Sequence, residues 1–342
     1  MKRLLLSTVI CFSLLLPTFA QKNKPAAQLA AKEIGLATIN RTTAESIIEF
    51  LASDELEGRE SGFHGSYVTS KYLASQLKLI GVKPLYDSYF QDFEAYSQDR
   101  YKGGRRFSVI PDSITKWKQG TTRKLKMRNV IGMIPGENTD EYVIVGAHFD
   151  HLGLDSALDG DQIYNGADDN ASGVSAVFQI ARAFIASGKT PKRNVIIAFW
   201  DGEERGLLGS RYFVDHCPFL KQIQGYLNFD MIGRNNKPEN PPYVVYFYTA
   251  SHPVFGEWLK KDIQTYGLNL DPDYRAWDKP VGGSDNGSFA IYDIPIIWYH
   301  TDGHPDYHGT GDHSEKLNWE KIVDITKASF LNAWNLANEK NY

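Results

Sequence analysis

A mixed, mostly parallel central sheet with helices on both faces is the fold class this sequence predicts, and three observations predict it. From Asn129 onward, short apolar runs alternate with helical stretches, the order that builds an α/β sheet. The runs are nearly continuous in apolar character, as strands buried on both faces require. The 342 residues, 42% of them hydrophobic, supply enough apolar surface for one sizeable core.

The predicted strands are Val130 to Ile134, Tyr142 to Ala147, Asn194 to Trp200, Gly225 to Phe229, Val244 to Tyr248 and Ile294 to Tyr299. Helical spacing of apolar residues predicts helices over Ala44 to Ala52, Ser66 to Ile80 and Ala171 to Ala186. A further helix carries Phe255, Trp258, Leu259 and Ile263, with Ser251 as its expected cap. The last helix turns Trp319, Ile322, Val323, Phe330 and Trp334 inward behind Asn318. Glu57 to Gly62 reads as a polar loop.

The chain's start predicts export. Lys2 and Arg3 precede the apolar stretch Leu4 to Leu16, and Thr18-Phe19-Ala20 is a small-x-small cleavage site. Residues 1–20 are therefore expected to be a signal peptide, 21–43 a flexible leader, and 44–342 a single α/β domain. The destination is the periplasm or the outside of the cell. Removing the peptide leaves Cys217 alone, so no internal disulfide is expected. It also takes two positive charges from a formal −4, giving −6. That balance gives no support for nucleic acid or, after cleavage, a membrane surface as a partner, and neither is expected.

Residues 88–128 form a candidate strand-rich insertion. Arg100 to Arg128 holds ten Lys or Arg and one acid, Asp112, read as a solvated basic face.

In open α/β sheets ligands bind beyond the carboxyl ends of the strands, and the chemistry-bearing residues gather there. One strand runs into His148-Phe149-Asp150. Tyr164 to Gly173, containing Asp168 and Asp169, opens a helix. Trp200 leads to Asp201-Gly202-Glu203-Glu204, Phe229 to Asp230, and the last strand to a loop with His300, His304 and His308. Imidazole and carboxylate are the ligand types of Zn²⁺ and related ions. Several carboxylates crowded at one sheet edge would repel each other, and cations keep them ionised together. Asp155, Asp159 and Asp161 lack the compact spacing of a Ca²⁺ loop. No Gly-x-Ser-x-Gly elbow occurs.

These residues resemble a family. Gly146 to Asp150, Asn165 to Gly173, Trp200 to Ser210, Asn228 to Gly233 and Asp306-Tyr307-His308 are together, and in this order, similar to the M28 family of zinc-dependent exopeptidases. The resemblance runs from Asn129 to the C-terminus. It implies two Zn²⁺, replaceable by other divalent transition metals: one held by His148, Asp169 and Asp230, the other by Asp169, Glu204 and His308. It further implies Glu203 as general base, Asp150 as the acid that orients His148, and Tyr307 as a group that polarises the scissile carbonyl. Asn286 stands where the family often has histidine, beside Ser284 and Asp285, which are expected to line the substrate cleft.

The function expected from this resemblance is removal of N-terminal residues from peptide substrates. A carboxypeptidase or dipeptidase would need a cationic clamp, for which Arg205, Arg234 and Arg275 are candidates. A single-zinc glutaminyl cyclase and a silent binding protein are the other classes weighed.

Overall fold

All six apolar runs form strands, which are the middle of one ten-stranded sheet. In this computed structural model the described residues are 24–98, 106–118, 122–278 and 282–340. The expected signal peptide, 1–20, lies outside the described residues. The strands in chain order are β1 Lys83–Pro84, β2 Phe90–Gln98, β3 Arg106–Ser108, β4 Thr122–Ile134, β5 Asn138–His148, β6 Gly153–Leu154 and β7 Ile163–Tyr164. They continue with β8 Arg193–Trp200, β9 Ile223–Phe229, β10 Tyr243–Tyr248, β11 Asp271–Ala276 and β12 Ile296–His300. The helices are α1 Lys24–Leu36, α2 Arg41–Leu51, α3 His64–Leu79, α4 Pro111–Trp117, α5 Gly173–Ala186, α6 Leu208–His216, α7 Val254–Tyr266, α8 Asn286–Ala290 and α9 Trp319–Asn338.

The sheet order is β11-β10-β12-β9-β5-β8-β4-β2-β3, with β1 paired to β4. Its centre, β12-β9-β5-β8, is parallel. The pairings that flank this centre, β10 with β12 and β4 with β8, are antiparallel. Every residue of β8 is buried, which explains the unbroken apolar run from Val195 to Trp200. One face carries α5, α7, α9 and the N-terminal helices; α6 and α8 pack on the other, around Trp200, Phe213, Tyr226 and Phe289.

Several expectations change. The stretch expected as a flexible leader is helical from Lys24. At Gly35 an added Cβ would meet the Ala183 carbonyl oxygen at 2.5 Å and Phe330 at 2.9 Å, so its missing side chain lets α1 lie directly on α5 and α9. Among the described residues of 88–128 the expected strand-rich character is present, and β2, β3 and β4 lie in the main sheet. Within the loop expected to be polar, Arg59 and Ser61 are buried. Ser251 caps nothing; α7 begins at Val254 after Pro253, and the Ser251 N–H donates to Asp278. Asn318 does cap α9, accepting the Lys321 N–H at 3.1 Å. No helix among the described residues is long and apolar enough to cross a membrane.

Candidate metal centre

Because the central strands are parallel and in register, His148 beside Trp200 and Phe229 beside Tyr299, their carboxyl ends lie along one edge. β5 ends at His148, β8 leads to Glu203 and Glu204, β9 leads to Asp230, and β12 leads to the loop with Tyr307 and His308. Asp169 comes from the irregular turn Ala167–Ser172 before α5. A cavity of about 540 Å³ opens here, lined by His148, Asp169, Glu203, Asp230, Tyr307 and His308, with Trp298 and His300 beside them.

Asp169 stands between two imidazoles. Its Oδ1 is 3.4 Å from His148 Nε2 and its Oδ2 is 3.3 Å from His308 Nε2. His148 Nε2 is also 3.5 Å from Asp230 Oδ1, and His308 Nε2 is 3.2 Å from Glu204 Oε2. Ligands about 2.0–2.1 Å from a tetrahedral zinc ion stand roughly 3.3–3.4 Å from one another. Both the separations and the mix of imidazole and carboxylate donors fit zinc-type cations.

The ring of His148 is held in one tautomer. Its Nδ1 lies 3.2 Å from the Asp150 carbonyl oxygen. A carbonyl only accepts, so Nδ1 carries the proton and Nε2 keeps its lone pair for a metal. The Asp150 carboxylate, expected to orient His148, lies 3.7 Å from the same Nδ1, farther than the carbonyl oxygen of its own residue. That carboxylate accepts the Ser61 hydroxyl at 2.7 Å and the Glu203 backbone N–H at 3.1 Å.

Of the three histidines in the last loop region, His308 alone reaches Asp169 and Glu204. His300 donates Nδ1–H to the Asp230 carbonyl at 2.6 Å, and buried His304 lies 3.4 Å from Asp168. Tyr307 stacks on His308 with ring centroids 3.9 Å apart. Arg234 braces this loop: it pairs with Asp306 at 2.5 Å and with Asp312 at 3.5 Å. Asp312 in turn accepts the backbone N–H groups of Asp168 and Asp169 at 2.9 and 3.0 Å. Ser284 and Asp285, expected in the cleft, are fully buried; Gly283 lines the cavity instead.

Sequence reasoning missed two buried residues here. Arg59 donates to the carbonyls of Phe149 at 2.9 Å, Asn165 at 2.6 Å, Gly166 at 2.9 Å and Leu51, and so ties together the segments that carry His148 and Asp169. His151 places Nδ1 2.8 Å from Glu204 Oε1. His151 follows Asp150 directly, so its place in the motif was the available signal. Arg59 offered none, since its partners are backbone carbonyls.

The charges interlock. Side-chain hydrogen bonds to Asp169 and Glu204 lift His308 to about 10. Burial works against protonation of His148, yet Asp230, Asp150 and Asp169 raise it well above the ordinary value. Burial would raise Asp169, but His151, His148 and His308 hold it well below the carboxylate range. Burial, aided by Asp230, Asp285 and Glu204 and opposed by His148, holds Glu203 well above that range. Burial pushes the Cys217 thiol up to about 11, leaving it un-ionised and inert near neutrality.

The three arginines considered as a carboxylate clamp already have partners. Arg205 pairs with Glu60, Arg234 with Asp306 and Asp312, and Arg275 with Asp273 at 2.8 Å and Asp302 at 3.2 Å.

Comparison with known proteins adds to this geometry. Residues 129–332 match the family described as Peptidase family M28. Leupeptin-inactivating enzyme 1 of Streptomyces exfoliatus is 38% identical over 170 residues, 49% of this chain. The match spans 34% of that relative's own length. The LapA aminopeptidase of Legionella pneumophila superposes with a TM-score of 0.67 at 21% identity, covering 100% of this chain and 81% of LapA. BSAP, a zinc aminopeptidase from Bacillus subtilis, also gives 0.67, at 16% identity, covering 89% of this chain and 97% of its own. At those identities the superpositions show a shared fold.

Proposed function

This chain belongs to peptidase family M28, and from that premise we propose that it is an exported, dinuclear zinc aminopeptidase. The observation that carries the reading is Asp169, whose two oxygens face two separate donor groups. His148, Asp169 and Asp230 would hold one ion, and Asp169, Glu204 and His308 the other. Zinc ions there would polarise the scissile carbonyl and acidify a water between them.

The chain's own residues account for the rest. Glu203 takes the proton that the attacking water loses and delivers it to the leaving amine. Asp150, through the Glu203 N–H, keeps the segment bearing that base in place. Tyr307 lines the cavity beside His308, where its hydroxyl would donate to the carbonyl oxygen as charge develops.

No lysine or arginine lines the cavity among the described residues, so a terminal carboxylate would need one of three arginines already engaged elsewhere. Export is proposed from Lys2, Arg3, the apolar run behind them and the Ala20 cleavage site.

Matched peptides decide the matter. Peptides with a free N-terminus and a blocked C-terminus should be cleaved, acetylated ones left intact, and chelator should abolish turnover. Cleavage confined to N-blocked peptides would turn the reading into a carboxypeptidase. A single bound zinc without hydrolysis would favour the cyclase.

A further inference from the structure

Deepening the dinuclear reading, on which it rests, we infer that His151 is a positioning residue of the metal centre. Its Nδ1–H holds Glu204 Oε1, so that Oε2 alone is presented to the cation shared with Asp169 and His308.

The distances separate the two roles an imidazole can take here. His151 Nδ1 to Glu204 Oε1 is 2.8 Å, the length of a charge-assisted hydrogen bond. The separations around Asp169 and His308 are 3.2–3.5 Å, the edges of a coordination polyhedron. His151 Nδ1 stands 3.8 Å from Asp169 Oδ2, beyond hydrogen-bonding reach. Glu204 is thus divided: Oε1 is committed to His151, and Oε2 lies 3.2 Å from His308 Nε2.

His151 is also fixed where it stands. Its side chain is fully buried, and its N–H donates to the Arg59 carbonyl at 3.3 Å. Gly166 presses on the ring so closely that an added Cβ would lie 2.6 Å from Cδ2. Its Nε2 is buried without a hydrogen-bond partner, so Nδ1 is the ring atom through which His151 makes its polar contact. With Nδ1 committed to Glu204 Oε1 and 3.8 Å from Asp169 Oδ2, His151 acts on the metal through Glu204.

Three substitutions test this. His151→Asn keeps an N–H donor near the Nδ1 position; His151→Ala removes it; His151→Gln keeps size and polarity but shifts the amide to the Nε2 side. Each protein, and the wild type, is equilibrated with buffered free zinc, and bound zinc is measured by elemental analysis. Groups that orient a ligand typically contribute 10–100-fold to metal affinity. The weaker of the two zinc equivalents should therefore lose about 10–100-fold in affinity in the Ala and Gln variants and stay close to wild type in Asn. If His151→Ala does not fold, His151→Gln carries the comparison. Two equivalents bound at wild-type affinity by Ala or Gln would overturn the inference. So would a loss in Asn as large as in Gln, which would mark direct ligation. A wild type that takes up fewer than two equivalents would instead sink the dinuclear reading, and this inference with it.

Discussion

The carboxylate of Asp150 accepts the backbone N–H of Glu203 at 3.1 Å, and its own carbonyl oxygen lies 3.2 Å from Nδ1 of His148. One buried residue at the end of β5 thus sets both a metal-ligand candidate and the candidate base. Asp150→Ala removes the acceptor for Glu203 and for Ser61 but keeps the carbonyl that orients His148. Turnover should fall by about 10–100-fold while zinc content holds. Steady-state kinetics on an aminoacyl reporter, with elemental analysis, checks both halves, and a parallel loss of zinc would show that the carboxylate supports His148 after all.

Glu203→Gln keeps shape and hydrogen-bonding capacity but takes no proton. Zinc binding and KM should stay near wild type, while kcat drops by roughly 10²–10⁴. An unchanged kcat would move the base elsewhere in the cavity.

Metal uptake should release protons. In the metal-free chain His308 is lifted to about 10 by Asp169 and Glu204, so below that pH it is mostly protonated. A ligand imidazole must be neutral, so each cation bound there displaces that proton. Apparent affinity should rise with pH up to about 10, by about tenfold per unit for one proton released. Calorimetric zinc titrations at pH 7 in buffers of different ionisation enthalpy measure the number; no proton release would contradict the paired geometry.

Arg59→Lys keeps a cation under the acidic cluster but loses the planar fork that reaches four carbonyls. A single ammonium cannot span Phe149, Asn165, Gly166 and Leu51. The expected loss is roughly 2–4 kcal/mol of stability, read from denaturant unfolding, with a matching fall in zinc affinity because His148 and Asp169 sit beside those carbonyls.

How much of this was legible in the sequence varied with the range of the interaction. The apolar runs that became β5, β8 and β9 were plain because a strand buried on both faces has little room for polar residues, and periodicity is local. The carboxylates and histidines after those runs were legible for the same reason: parallel strands in register bring their carboxyl ends to one edge. α6 and β11 went unseen. β11 is an edge strand, half-exposed and rich in charge, so no apolar pattern marks it.

By itself the sequence determined the sheet, the edge where chemistry gathers, and the candidates His148, Asp169, Glu203, Glu204, Asp230 and His308. Only the tertiary structure decided that Arg59 is buried, that His151 grips Glu204, and that Arg205, Arg234 and Arg275 already have partners. It also decided that Asp150 reaches His148 through its carbonyl. The physical reason is common to all four. Their partners are backbone oxygens or side chains from other segments, and a composition or spacing rule sees neither.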